Sequence, residues 1–237
     1  SFPSVLCPLP SALFAPSQYL TGQTMNPPIQ TDTKEQILNV AERLFANQGF
    51  AGTSLRCVIR EAGVNLAAVH YHFGSKEELF RAVVSRIAKP VVAAQLERLA
   101  HCQAQNDPPS VEAILEALLT PPLQIVLSCK EHGMNRAQFM GRCRTEPEPI
   151  HTIARQEFQA SHQVFLDILQ RSLPDQSRTE LSWKFDLAIA ALIRVATEAG
   201  KPNALLQGDS PKHIHLTVSR LVHFLTPGIR ADSTHSW

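Results

Sequence analysis

The sequence predicts an all-α protein, with an N-terminal three-helix unit that contains a helix-turn-helix and a larger helical bundle after it. Three observations predict this. Apolar residues recur at helical spacing from Thr33 onward. No segment alternates at the two-residue period of a half-buried strand, and no internal repeat is present. Helix start and stop signals fall at regular intervals along the whole remaining chain. The length of 237 residues exceeds what a lone helix-turn-helix needs and suits one small and one larger domain. The expected division is an extension over 1–30, the helix-turn-helix over 31–80, the bundle over 81–228 and a tail over 229–237.

The first helix is expected from Thr33 to Gln48, with Ile37, Leu38, Ala41, Leu44 and Phe45 as its apolar stripe. Asp32 is a suitable N-cap, and Gly49 ends the helix. Thr53 or Ser54 caps a short second helix that runs to Ala62, and Gly63 makes the turn. Asn65 caps a third, which ends near Phe73 and Gly74. Ser75 to Glu78 reads as a capping box in which the hydroxyl and the Glu78 carboxylate each satisfy the other's amide. That box opens a long fourth helix, which Pro90 should kink or split. Pro108 and Pro109 mark a break, and the next helix is interrupted by Pro121 and Pro122. A short helix to Arg144 follows, and Pro147 and Pro149 stop it. Ile150 to Leu173 and Arg178 to Ala199 are helical. The last helix starts at Ser210, with Pro211 at the favoured first position, and stops before Pro227.

Composition excludes several classes. Hydrophobic residues make up 44% of the chain, enough to bury a core, so an intrinsically disordered protein is excluded. The net charge of +1 gives no bulk attraction to a polyanion, so basic residues that meet one must be placed locally. The cysteines Cys7, Cys57, Cys102, Cys129 and Cys143 are odd in number and lack a C-x-x-C pair, which suits a reducing cytoplasm. No run is apolar for the ~18 residues of a membrane span. Ser1 to Thr24 has no charged residue and is broken by Pro3, Pro8, Pro10 and Pro16, so it does not read as a signal peptide. It is expected to be an unstructured extension, with Met25 as the natural start. No nucleophile elbow, phosphate-binding glycine loop or H-E-x-x-H is present, and an enzyme is not expected.

Gly52 to Phe80 carries the most information. Leu66, Val69 and Phe73 share one face of the third helix and should pack on the first two. Ala67, Ala68 and Tyr71 take the opposite face, where small alanines let a helix approach base edges and touch thymine methyls. Tyr71 can donate to a phosphate or a base, and His70 and His72 can donate to phosphates. Thr53, Ser54 and Arg56 begin the second helix, where free amides and hydroxyls suit a phosphate oxygen. Lys76 sits in a first helical turn, which favours anions, and a phosphate partner would explain it. His70 and His72, two apart, do not share a helix face, so no metal site is expected there. Such helix pairs also occur in other helical proteins, and a module that binds another protein is the alternative.

The segment "ILNVAERLFANQGFAGTSLRCVIREAGVNLAAVHYHFGSKEELF", from Ile37 to Phe80, closely resembles the tetracycline-repressor (TetR/AcrR) family of transcriptional regulators. It combines a helix ending in LF-x-x-x-GF, a T-S start, A-G-V at the turn, Y-H-F and then G-S-K-E-E-L. The resemblance implies phosphate or base contacts at Thr53, Ser54, Arg56, Asn65, Ala67, Ala68, His70, Tyr71, His72 and Lys76. Ile59 departs from it, standing where the family has a small alanine. The resemblance further implies a cytoplasmic repressor without a cofactor. It would bind double-stranded palindromic operator DNA as a homodimer and be released by a small-molecule effector. The recognition-helix version resembles a subgroup that includes fatty-acid-responsive regulators.

The bundle agrees in part. Leu187 to Ala199 is apolar almost all round, so this helix needs burial on two sides: the core and a partner subunit, or the centre of a monomeric bundle. Arg194 and Glu198 are spaced for an ion pair within the helix. Ala154, Phe158, His162, Phe165 and Leu169 form one stripe, and a histidine inside it is either a hydrogen-bonded core residue or a polar handle in a cavity. Phe139, Met140 and Arg142 are further candidates, with Arg142 able to meet an anionic head. The ligand set expected is Phe139, Arg142, Phe158, His162 and Phe165, for an apolar effector such as a fatty acyl compound.

Overall fold

The computed structural model describes residues 33–128, 133–199, 201–208 and 210–231. The expectations for 1–32, including the Asp32 cap and the start at Met25, and for 232–237, lie outside these residues. The described chain is helical: α1 (Thr33–Gly52), α2 (Leu55–Ala62), α3 (Leu66–Phe73), α4 (Lys76–Gln105), α5 (Val111–Ser128), α6 (Gly133–Cys143), α7 (Ile150–Ser172), α8 (Arg178–Glu198) and α9 (Pro211–Arg230).

The stripe on α1 is buried as its spacing requires. Gly49 breaks the helix with φ 72°, and one more turn carries it to Gly52. A side chain at Gly49 is excluded twice, by that φ and by Glu146, whose Oε1 lies 2.8 Å from where a Cβ would stand. Ser54 caps α2 by accepting from the Cys57 amide, and Gly63, at φ 62°, ends it. Asn65 caps α3. Only half of the expected capping box forms. Ser75 accepts from the Glu78 amide at 3.1 Å, but the Glu78 carboxylate turns to Arg81 at 3.5 Å.

The prolines act less than expected. α4 is continuous through Pro90, and α5 through Pro121 and Pro122. α5 is the central helix, with Val111, Ile114, Leu115, Leu118, Leu119 and Leu123 all buried. α9 does not stop at Pro227 but runs to Arg230. Two side chains hold that end. Buried Lys184 donates to the carbonyls of Ile229 (3.3 Å) and Ala231, and Gln176 donates to those of Ile229 (2.8 Å) and Arg230 (3.1 Å).

There are two cores. One joins α1 to α4 through Phe45, Phe80 and Val69, and extends to Phe139, Cys143 and Ile153. The other joins α5, α7, α8 and α9 through Leu115, Phe165, Phe185 and Leu221. The first core therefore crosses the expected boundary at residue 81, which α4 spans unbroken. On α8, Ala188, Leu192 and Val195 face this second core. Outward stand Trp183 and Leu187, and on α9 Leu216 and Phe224, the last 76% exposed. Arg194 and Glu198 pair at 3.2 Å.

Candidate nucleic-acid interface and internal cavity

The helix-turn-helix puts one face of α3 outward. Val69 and Phe73 are buried, and Tyr71 is 86% exposed beside exposed Ala67 and His70. Leu66 was expected inward, but it is 55% exposed and joins the Tyr71 face. Its inward neighbours at helical spacing, Val69 and Phe73, already fill the contact with α1 and α2. An unpartnered leucine and tyrosine beside alanine form a low apolar surface suited to thymine methyls. Ala68 is half-buried, and its amide is held by the Asn65 Oδ1 at 2.8 Å.

The polar candidates divide. Thr53 is buried and its hydroxyl donates to the Gly49 carbonyl at 2.8 Å, so it is a structural tie within the turn. Ser54 and Arg56 are exposed at the start of α2, and Arg56 has no ion pair among the described residues. His70 Nδ1 lies 2.9 Å from the Gly74 carbonyl, so Nδ1 carries the hydrogen and Nε2 is left outward. The half-buried His72 ring packs edge to face with Tyr71, centroids 5.2 Å apart. Lys76 Nζ stands 4.1 Å from the centre of the Phe50 ring. Burial lowers the Lys76 pKa, and Glu77 and Glu146 oppose that. Its charge is thus held by an aromatic face at the edge of the head. Ile59 is accommodated half-buried against the head core.

A cavity of about 290 Å³ lies between α4, α5, α6, α7 and α8. Its walls include Val91, Leu118, Met140, Ile189 and Leu192. Two expected residues line it, Phe158 and His162. The His162 ring stacks on Phe158 at 5.9 Å and meets Phe185 edge to face at 5.4 Å. Burial is the main cause of its lowered pKa, with Asp186 opposing and Arg144 adding to it. The imidazole is therefore neutral at pH 7, with a donor and an acceptor nitrogen.

The other three expected ligand residues lie elsewhere. Phe139 is buried in the head core, its centroid 5.3 Å from Phe80 and 6.3 Å from Phe45. Arg142 donates to the Asn47 carbonyl at 3.0 Å. Phe165 is fully buried against Phe185. The cause is helix phase. On α6, Ala137, Met140 and the following Arg144 turn to the cavity, whereas Arg136, Phe139 and Arg142 turn to α1. On α7 the stripe lines the cavity through Ala154, Phe158 and His162, then enters the core at Phe165. The polar lining missed in the sequence is Gln95, Arg144, His151, Arg155 and Asp186. Arg144 and Arg155 have no ion pair among the described residues, and no periodic signal marked them. Cys143 lines the cavity too, and burial raises its thiol pKa far above the usual range, so it stays protonated.

An exposed recognition-type helix on a three-helix head, continuous with a bundle around an apolar cavity, defines a helix-turn-helix protein with an internal cavity in its helical bundle. Two family models match the chain: "Bacterial regulatory proteins, tetR family" over residues 37–83 and "Tetracyclin repressor-like, C-terminal domain" over residues 116–228. The HTH-type transcriptional repressor BepR of Brucella suis is 25% identical over 204 residues, covering 85% of this chain and 94% of that protein. The HTH-type transcriptional regulator AcrR of Shigella flexneri is 36% identical over 115 residues, 46% of this chain and 52% of that one. A bacterial regulatory protein of the TetR family from Rhodococcus RHA1 shares the fold, with a TM-score of 0.59 at 17% identity, over 85% of this chain and all of that one. The chain belongs to the TetR family of transcriptional regulators and is not an enzyme. No helix among the described residues is long and apolar enough to cross a membrane.

Proposed function

We propose that this protein is a repressor that binds a palindromic operator as a homodimer and is released when a small, largely apolar molecule such as a fatty acyl compound fills the cavity. The observation that carries the DNA reading is the outward face of α3, Leu66, Ala67, His70 and Tyr71, flanked by Ser54, Arg56 and Lys76. An α-helix fits the major groove, and small apolar side chains read thymine methyls. Two such heads related by a two-fold axis match a two-fold operator, and the exposed Trp183, Leu187, Leu216 and Phe224 offer the pairing surface. The unpaired Cys57, Cys102 and Cys143 suit the reducing cytoplasm.

The apolar walls favour an alkyl or ring body, and Arg144 and Arg155 give an anionic head its partners in place of Arg142. A ligand that prefers the released arrangement of heads about a hundredfold shifts the equilibrium by ~2.7 kcal/mol, and operator weakens its binding by the same factor. Phe158 and neutral His162 also favour a second class, planar aromatics with a hydroxyl.

The test is an operator selected from random duplexes, titrated across a salt series. Tyr71→Ala and Lys76→Ala should both weaken binding with the fold intact, and Lys76→Ala should flatten the salt slope by ~0.9 for its one phosphate. Parent-like binding by both variants sinks the assignment. Release by planar aromatics alone discards the acyl effector and keeps the repressor.

A further inference from the structure

A glutamine stands inside an apolar stripe of α4. Ile87, Val91, Gln95 and Leu99 recur at four-residue spacing, and each is 5% exposed or less. A buried amide costs stability unless its donors and its acceptor are bonded. α5 meets half of that demand. In a regular helix the Leu118 carbonyl accepts from the amide four residues on, or three at a tight turn. Those residues are Pro122 and Pro121, which have no N–H. The Gln95 Nε2 takes their place and donates to the Leu118 carbonyl at 2.7 Å.

This bond fixes the amide. A carbonyl demands a donor, so the nitrogen faces Leu118 and Oε1 faces away from it. Oε1 accepts from no residue among those described. Gln95, Leu118 and Pro122 all line the bundle cavity. The cavity thus has an immobilised neutral acceptor on its α4 wall. Its cations come from elsewhere, Arg144 just past α6 and Arg155 on α7. Val91, Met140, Ile189 and Leu192 supply apolar wall to the same space.

Resting on the effector reading above, we infer that Gln95 is a specificity-determining residue, and that the effector is a carboxylate whose apolar body carries a hydroxyl. The carboxylate meets Arg144 and Arg155, and the hydroxyl donates to the Gln95 Oε1. A plain acyl chain leaves that oxygen facing hydrocarbon, and a site built to bond a hydroxyl discriminates against the analogue that lacks one. The proline pair makes the selection sharp. It holds the amide in one orientation, so Gln95 cannot turn its nitrogen to the ligand without orphaning the Leu118 carbonyl.

Calorimetric titration of the full chain without DNA tests this. The probes are decanoate and its monohydroxylated isomers, with the hydroxyl moved along the chain. At least one isomer should bind the parent about tenfold more tightly than decanoate does. In Gln95→Leu that ratio should fall below about twofold. The ratio is the readout because general damage to the cavity weakens both ligands alike. Arg155→Met should weaken both by the same factor and keep the ratio. If Gln95→Leu does not fold, Gln95→Leu with Pro122→Ala replaces it, since an alanine there returns an amide to the Leu118 carbonyl. A parent that binds decanoate as tightly as every isomer overturns the inference. So does a preference that survives the loss of Gln95, which would give the hydroxyl to Asp186 or His162, the other acceptors on the lining. A parent that binds none of the panel discards the acyl effector along with the role of Gln95, and leaves the repressor to the operator test.

Discussion

Phe224→Asp should separate the two subunits while sparing each subunit's fold. The ring is 76% exposed on α9, which also exposes Leu216, and α8 exposes Trp183 and Leu187. A phenylalanine side chain carries on the order of 200 Å², so about 150 Å² is open to a partner. At ~25 cal/mol per Å², full burial stabilises a subunit pair by about 4 kcal/mol per ring. A two-fold interface repeats every contact, so the dimer holds up to about 8 kcal/mol in these two rings. Half of that is already ~10³-fold in dissociation constant, and two carboxylates brought near the axis add to the loss. Sedimentation equilibrium of parent and variant reads this directly, with thermal melts as the control for folding. A parent that is monomeric at micromolar concentration, or a variant as dimeric as the parent, refutes the pairing through α8 and α9. Leu187 and Ala190 mark the same outward face of α8, whereas Ala191 is half-buried against the bundle core. A charge at Ala191 would therefore test folding rather than assembly.

The two phenylalanines that the sequence placed together should part in experiment. Phe139→Ala empties a site in the head core and should cost ~3–5 kcal/mol in denaturant unfolding, whereas Phe158→Ala, at a cavity edge, should cost clearly less and alter effector binding. A smaller cost at Phe139 contradicts the assignment of faces on α6. His162 gives a pH signature. Its folded pKa is lowered by burial, so the unfolded chain binds the proton more readily. The stability tied to neutral His162 is complete above the ordinary histidine pKa and is lost as pH falls through that value to the lowered one. Thermal melts between pH 5 and 8 should show a slope that His162→Gln reduces, and an unchanged slope refutes the burial account.

Much of the head was legible because local chemistry fixes it. Gly49, Ser54, Gly63, Asn65 and Ser75 each meet a backbone demand that few residues satisfy, so the ends of α1, α2, α3 and α4 follow from sequence. The apolar stripe of α1 and the outward Tyr71 follow from a 3.6-residue period. Helix ends set by remote side chains were not legible. α9 passes Pro227 because Lys184 and Gln176, distant in sequence, hold its last carbonyls.

The sequence by itself determined the helical class, the helix-turn-helix, its outward Tyr71 and the family, because turn chemistry and helical period act within a few residues. Tertiary structure alone decided which face of α6 meets the cavity and that Arg144 and Arg155, not Arg142, border it. It decided that Leu66 looks outward, that Thr53 turns in, and that Glu42 sits between Arg86 and Arg136. The physical reason is common to the faces of α6 and the Glu42 junction. Periodicity says which residues share a face, but the neighbour that face meets is set by packing between helices some 40 to 100 residues apart.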